Sequence, residues 1–527
     1  MKSGFFSFFK TVYAIIFSII MAILLLSENI SYFCKKEFIL SNGVIFCIVL
    51  MLLSAGVGFY YWAKTKNRLL LKNYSAVNVD KIVLVATVIL FFGQCYVFYN
   101  VFFLSGWDTW QIRAFVNTIM NGGDKAGIND YFSLYPNNLF ISYLFLFLQK
   151  INSYFGIFNG VYSYMCVVIL NCAINSLSCL LSYKTARIFV SPAFALVAYV
   201  FCVFSVGISG WTVICYSDAL TLFFPILSVY LYCKQYKNTQ MKAVGFIAAG
   251  FVSAVGYFIK PQCLFVLIAI VVLEVLKLVG NLSLKTFIRP IALCLAAFMV
   301  FSTTNIGLNL LNKKYGIQID KEQSFGVSHF LMMGANEESS GVYSGEDVIF
   351  SSSFATAKER NKANINAFKQ RIFEMKSDLI THLRKKTLVT FNDGTFAWGV
   401  EGSFFLIIPE NINNKMAPFL KSIYCDGDKY PYFATFQQLI WFFILLCSLL
   451  TVVSKKTNCD QYKLSLLWII LLGFVLYEML FEARARYIYI FVPIFCTLAP
   501  IGIRNISVLA CDAVPRIKKQ IERITKK

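Results

Sequence analysis

The chain has 527 residues, 58% of them hydrophobic and 14% charged, with 53 phenylalanines and a mean hydropathy of +0.66. A water-soluble domain carries about 25% charged residues and fewer than half apolar ones, so this composition belongs to a membrane protein. It excludes disorder, a collagen-like repeat, a coiled coil and a small secreted scaffold. The formal charge of +21 would suggest nucleic acid in a soluble chain. Here the basic residues gather in short segments between apolar runs, the pattern by which positive charge fixes membrane topology. Nucleic acid is therefore not an expected partner.

The N-terminus, MKSGFFSFFKTVYAIIFSIIMAILLL, pairs a basic start with a long apolar run. No small-x-small cleavage site follows cleanly, so it reads as a retained first span over about 11–27 rather than a signal peptide. A second span follows at about 43–62, and the basic run KTKNRLLLKNY after it marks a cytoplasmic loop. A third, at about 82–104, delivers Gly106-Trp107-Asp108 to the outer face. A polar stretch then runs to Tyr135-Pro136-Asn137-Asn138.

The apolar run from Leu139 is short and broken by Gln149-Lys150. If it crossed, Lys184 and Arg187 after the next run would fall outside, so 139–150 is expected to lie on the outer leaflet as an interfacial helix. Spans are then expected at about 161–183, 190–210, 218–233, 243–258, 262–279 and 287–306. A polar external segment, 307–431, is too long for an ordinary connection and must be folded or functional. Spans at about 433–453, 464–481 and 488–503 close the chain, leaving Lys455-Lys456 and the tail RIKKQIERITKK inside.

The expectation is an all-α polytopic bundle of about twelve spans with both termini cytoplasmic. It divides into an N-terminal pair (1–80), a membrane core (81–306) with external loop 105–160, the external segment, a C-terminal trio (432–505) and a basic tail (506–527). Most of the sixteen cysteines sit inside apolar runs and act as small apolar residues. No CxxC or metal-ligand spacing occurs. His329 and His382, with no cluster around either, are expected as exposed loop residues.

Ionisable residues at membrane depth cost about 2.5–3.5 kcal/mol each on insertion scales, so those at the outer boundary are site candidates. Under this topology Asp108, Asp218, Lys260, Glu482, Arg484 and Arg486 converge on one face, with Glu478 one helical turn before Glu482. Carboxylates beside fixed cations can deprotonate a hydroxyl and hold a phosphate. Plainer roles compete for each residue. Asp108 and Asp218 could be helix N-caps, Lys260 could snorkel to headgroups, and Glu482 with the arginines could be an interfacial ion-pair cluster.

The phrases GWDTWQIRAF (106–115), YPNN (135–138), CYSDALTLFF (215–224), IKPQ (259–262), HFLMMGANEESSGVYSGED (329–347), FNDGTFAWG (391–399) and FEARARY (481–487) occur in that order. Together they resemble the GT-C superfamily of integral-membrane glycosyltransferases, which includes protein O-mannosyltransferases and lipid A aminoarabinose transferases. The nearest resemblance is to the dolichyl-phosphate-mannose-transferase-like proteins of Gram-positive bacteria. The resemblance implies transfer of a sugar from a polyprenyl-phosphate-linked donor to a hydroxyl acceptor on the outer face of the plasma membrane. The acceptor stays open among a wall polysaccharide, a teichoic acid, a lipid-linked glycan and a secreted protein.

By position, Asp108 would be the base or acceptor-orienting carboxylate, and Asp218 the second carboxylate of the site. Lys260 and Arg484 or Arg486 would hold the donor phosphate. Trp107, Tyr135, Pro136, Glu482 and Tyr487 would support them, with the interfacial helix lining the entry for the lipid tail. Relatives commonly place a second acid directly after the first, where this chain has Thr109. No cofactor is expected; a divalent metal is compatible with the family, but nothing in the sequence calls for one.

In the external segment, the mixed-charge stretch Lys358–Lys386 reads as a solvated surface helix. Asn392-Asp393-Gly394 reads as a turn. With Trp398 nearby as a sugar-stacking aromatic, Asn392 and Asp393 are expected on the acceptor side of a cap over the site. Two other classes share parts of this pattern. An O-antigen-type polymerase or ligase keeps its arginine pairs on the large loop, whereas the best cluster here follows a late span. A transporter or flippase would carry internal pseudo-symmetry and mid-membrane charges.

Overall fold

The computed structural model describes residues 2–27, 37–65, 76–237, 240–241, 243–280, 283–398, 416–453 and 461–524. Most of the basic run after the second span, Lys455, Lys456 and the last three residues of the tail lie outside the described residues.

The first three helices are α1 (Lys2–Leu25), α2 (Asn42–Thr65) and α3 (Ala76–Asn100). The external loop folds into α4 (Trp107–Asn121), α5 (Ala126–Leu134) and α6 (Leu139–Phe155). The core continues through α7 (Met165–Ala186), α8 (Pro192–Cys202), the short α9 (Ser217–Thr221), α10 (Phe223–Gln235), α11 (Ala243–Ile259), α12 (Leu264–Gly280) and α13 (Leu284–Tyr315). A small antiparallel pair, Tyr236–Lys237 with Gln240–Met241, follows α10. The segment between α13 and the last three long helices holds α14 (Val327–Gly334), α15 (Gly345–Ser352), α16 (Ala357–Met375), α17 (Leu379–Phe391) and α18 (Ala417–Ser422). Three more, α19 (Tyr430–Leu449), α20 (Gln461–Leu480) and α21 (Val492–Ile524), complete the bundle.

Among the described residues, nine helices are long and apolar enough to cross a membrane: α1, α2, α3, α7, α12, α13, α19, α20 and α21. The chain is an all-α, multi-pass membrane protein apart from that one small hairpin. The other three expected crossings fall on shorter helices: α8 with the widened turn Val203–Gly207, α10 and α11. α6 is not among the nine. It buries one face, through Ile141, Phe145 and Leu146, and exposes Phe147, Tyr154 and Phe155.

The charged groups sort to two ends of the bundle. At the start of α3 and the end of α7, Asp80 lies 3.6 Å from both Lys184 and Arg187, and Tyr183 donates to it at 2.7 Å. At the end of α12 and the start of α20, Glu274 receives Lys277 (2.9 Å) and the Tyr462 hydroxyl (2.5 Å). The opposite helix ends carry Asp108, Lys260 and Glu478.

Three expectations about boundaries and exposure change. α13 does not stop at 306. A Ser283–Thr286 capping box starts it, and it runs to a left-handed Gly316 cap (φ 65°), because Asn309, Asn312, Lys313 and Lys314 are polar but good enough helix residues to continue it into water. The helix α21 likewise carries through 506. The stretch Lys358–Lys386 is two helices broken at Lys376 (φ 39°), not one solvated helix.

Several side chains of that stretch turn inward. Arg360 donates to the carbonyls of Ser351 (2.8 Å), Glu322 (2.7 Å) and Phe354 (3.0 Å), and Arg371 grips Asp347 at 2.6 Å and 3.1 Å. Both histidines are buried on helices rather than exposed in loops. His329 stacks on Phe325 (4.2 Å) with Nδ1 2.7 Å from the Ser351 hydroxyl, and His382 Nε2 meets the Gly334 carbonyl at 3.0 Å. Polar partners inside the external segment are what draw these rings in.

Candidate functional site

The site forms where α4, α9, the α11–α12 junction and the loop after α20 meet. Gly106 is the N-cap of α4 and Asp108 lies in the first helical turn, so Asp108 is not the cap. Thr109 is buried, and its hydroxyl contacts the Ser105 carbonyl (2.9 Å) and the Ser105 hydroxyl (2.7 Å). Thr109 is thus a structural hydroxyl that ties the start of α4 to the residues before it. Asp108 accepts the Tyr131 hydroxyl on Oδ1 and the Tyr216 hydroxyl on Oδ2, each at 2.7 Å. Tyr131 in turn accepts from Asn138 Nδ2 (2.7 Å). Burial first, and then the Asp108 carboxylate, push the Tyr131 phenol well above its ordinary value of 10, so it stays a donor.

Asp218 is likewise not an N-cap; Tyr216 holds that place on α9. Its two oxygens take Lys260 Nζ on one side and Arg486 NH1 (3.0 Å) on the other. All three side chains are buried, so Lys260 does not snorkel to headgroups. It reaches inward because Pro261 ends α11 and starts the next helical turn, leaving Lys260 extended between them. Its ammonium also sits 4.8 Å above the Tyr487 ring.

The loop after α20 supplies the remaining groups. Arg484 Nε donates to Glu482 Oε1 (2.7 Å) and Tyr487 donates to Glu482 Oε2 (3.2 Å). The backbone N–H of Arg484 and the Thr390 hydroxyl both reach Glu478 Oε2, at 3.2 and 3.3 Å. Trp107 stands under both arginines, 4.7 Å from the Arg486 guanidinium and 5.8 Å from that of Arg484. Its backbone has φ 63°, a conformation that costs a non-glycine residue roughly 1–3 kcal/mol. Tyr216 joins the two halves: it donates to Asp108 while its ring lies 5.6 Å from Arg486.

Residues 5–506 match the family described as "Conserved hypothetical integral membrane protein". The chain belongs to that family. No curated protein and no solved structure matches the chain. The match to this integral membrane family spans every residue of the cluster, from Trp107 to Tyr487.

The expected residues Asp108, Asp218, Lys260, Glu482, Arg484, Arg486, Trp107 and Tyr487 are thus brought together. Tyr135 borders them, its ring tilted against Tyr131 (5.3 Å) and edge-on to Phe325 (5.4 Å), and Pro136 opens the turn into α6. Asn392, Asp393 and Trp398 are buried. Asn392 Oδ1 accepts from Asn42 (2.8 Å) and Gln438 (3.1 Å). Asp393 ties its own turn, taking the N–H groups of Thr395 (2.8 Å) and Ala397 (3.0 Å). Trp398 fills the space at Gly210, where a Cβ would lie 2.5 Å from its ring.

Sequence reasoning missed Tyr131, Tyr216 and Lys386. The two tyrosines lay inside or beside quoted motifs, and a polar atom next to a membrane-boundary carboxylate was the signal available. Among the described residues, no group of three or more His, Cys, Asp or Glu is arranged to hold a metal ion.

Proposed function

We propose that this chain is a GT-C-like glycosyltransferase of a Gram-positive plasma membrane. It moves a sugar from a polyprenyl-phosphate donor to a hydroxyl of an envelope glycan on the outer face. On this reading the nine long helices and the three shorter ones make twelve crossings, both termini are cytoplasmic, and α6 lies along the outer leaflet beside the donor's tail. The single observation that carries the reading is the pairing of two unlike carboxylates at one end of the bundle. Asp108 is held by two neutral phenols, and Asp218 by two cations.

The division of labour follows from those partners. Asp218 has both oxygens bound by cations and organises Lys260 and Arg486 around the donor phosphate. Asp108 takes the acceptor proton as the acceptor oxygen bonds to the anomeric carbon. The bond from that carbon to the phosphate oxygen breaks in the same displacement, with inversion, and the electron pair leaves with polyprenyl phosphate. Phosphate is a fair leaving group and needs fixed positive charge more than a general acid, which Lys260, Arg484 and Arg486 supply.

The test is a comparison of cell-envelope glycans between a deletion strain and its parent by mass spectrometry. The reading expects loss of one sugar substituent from an otherwise intact polymer, with its polyprenyl-phosphate sugar accumulating. A collapse in polymer length with single lipid-linked units piling up would replace it with a polymerase. An unchanged set of glycans and lipid-linked sugars would end the glycosyl-transfer reading.

A further inference from the structure

The loop that bears Arg484 and Arg486 is sewn to the external segment by groups outside the cluster already described. Lys386, on the last turns of α17, is buried, and its ammonium donates to two backbone carbonyls from separate parts of the chain. One is Gly334, at the end of α14 (2.8 Å), and the other is Phe481, at the start of the arginine loop (2.6 Å). The loop's own amides run alongside. Glu482 N–H donates to the Phe330 carbonyl (3.0 Å) and Ala483 N–H to the Gly341 carbonyl (2.8 Å).

The seam has no slack. A Cβ on Gly334 would lie 2.4 Å from the carbonyl carbon of Phe481, and one on Gly341 would meet the Lys386 stem at 3.0 Å. Gly341 also takes φ +75°, open to glycine at little cost.

We propose that Lys386 is a positioning residue that locks the arginine loop, residues 481–487, to the external segment, so that this segment sets where the phosphate-facing cations stand. That the loop faces a phosphate rests on the glycosyl-transfer reading; the lock rests on the geometry above. A buried ammonium is costly unless its donors are used, and here they are used on carbonyls that a loosened loop would leave behind.

The groups facing Lys386 come from each element around it. They are Glu478 on α20, Glu482 on the loop, and His382 on α17 itself, which shares the Gly334 carbonyl with Lys386. Burial pushes the Lys386 ammonium down to about 8, against the opposing pull of Glu478 and Glu482. Above that pH the amine is neutral and its bonds to the two carbonyls are no longer charge-assisted. The lock nevertheless tightens as pH rises through about 8, because an opened loop would return the amine to water, where it keeps its proton up to about 10.5.

The experiment uses the full chain reconstituted in phosphatidylglycerol nanodiscs. Hydrogen exchange of peptides covering 481–487 and binding of a polyprenyl monophosphate are measured for the native protein, Lys386→Met and Lys386→Arg. Lys386→Met is expected to speed exchange at Glu482, Ala483 and Arg484 by about tenfold or more, leave α19 unchanged, and weaken polyprenyl-phosphate binding, raising KM for the donor more than it lowers kcat. Lys386→Arg should restore most of the protection.

Exchange at 481–487 within about twofold of native in Lys386→Met would overturn the lock. Faster exchange with unchanged polyprenyl-phosphate affinity would uphold the lock and remove the phosphate reading of the arginines. If Lys386→Met does not fold, the native protein still decides. Its protection at 481–487, corrected for intrinsic exchange, should rise relative to α19 between about pH 7 and about pH 9, and no differential change would overturn the proposal.

Discussion

Arg486 and Asp218 are 268 positions apart in the chain, and their side chains meet at 3.0 Å. With Lys260 on the other oxygen of the same carboxylate, three elements of the bundle are joined through one buried anion. Breaking such a pair by removing one partner costs about 3–5 kcal/mol, because the remaining charge is buried and unmatched. Asp218→Asn should therefore lower the thermal midpoint of the detergent-solubilised protein. Adding Lys260→Met should return part of the loss. A midpoint unchanged in Asp218→Asn would mean that water reaches the triad and that its burial is overstated.

Asp108 is a different kind of carboxylate. It is joined to the protein by two phenols, so an amide of the same shape keeps the fold. Asp108→Asn should reduce sugar transfer by about 10²–10⁴-fold with the thermal midpoint nearly unchanged. Tyr131→Phe and Tyr216→Phe should each act more mildly, through the orientation of the carboxylate. Near-normal turnover in well-folded Asp108→Asn would remove this residue from the role of base.

Gly334 touches the arginine loop with no space for a methyl group. The obstacle to Gly334→Ala is backbone, the Phe481 carbonyl carbon, so no side-chain rotation relieves it. Overpacking of this sort costs about 1–3 kcal/mol. Donor binding should suffer in the same variant, since the displaced residues, Leu480 and Phe481, lead into the loop that carries Arg484. Gly345→Ala, where a Cβ would meet nothing within 4 Å, is the matched control.

His329 gives the external segment a pH dependence of definite sign. Burial, foremost, holds its imidazole down at about 4 against an ordinary value of 6.5. Between those two pH values the unfolded chain binds a proton that the folded chain does not. Stability is thus full above about 6.5 and falls as pH drops toward about 4, by on the order of 3 kcal/mol for the full shift. Thermal unfolding followed across that window should slope downward toward acid, and His329→Gln should flatten the slope. An equal slope in both proteins would assign it to the acids nearby.

Much of this arrangement was legible from residue order. Trp107-Asp108, Ser217-Asp218, Lys260-Pro261 and the FEARARY loop are polar interruptions of apolar sequence, and the cost of such groups at a membrane boundary marks them without any structure. Their convergence followed from counting spans. The partners were harder to see. Tyr216 is marked in the sequence only by standing two residues before Asp218, and that position does not say that its hydroxyl reaches Asp108.

Lys386 was hidden in a basic stretch that resembles any solvated helix, because its meaning lies in two backbone carbonyls. Asn392-Asp393-Gly394 was legible as a turn, but not the direction in which the turn faces. Phe396 and Ala397 both take positive φ (56° and 59°), and Trp211 and Trp441 donate to the carbonyls on either side, which drives the turn into the bundle. Tertiary contacts decided that, and local chemistry carries no record of them.

The length of α13 fixes a height. Its 32 residues span about 48 Å at 1.5 Å per residue, against a hydrocarbon thickness of about 30 Å. Even tilted by about 20°, the helix has several turns to spare beyond the lipid. Near its far end Asn312 accepts from Tyr143 (2.6 Å) and Tyr315 from Lys150 (2.6 Å), both on α6. The helix thus works as a braced mast. Its polar last turns outreach the hydrocarbon, and α6 is the stay that holds them in place.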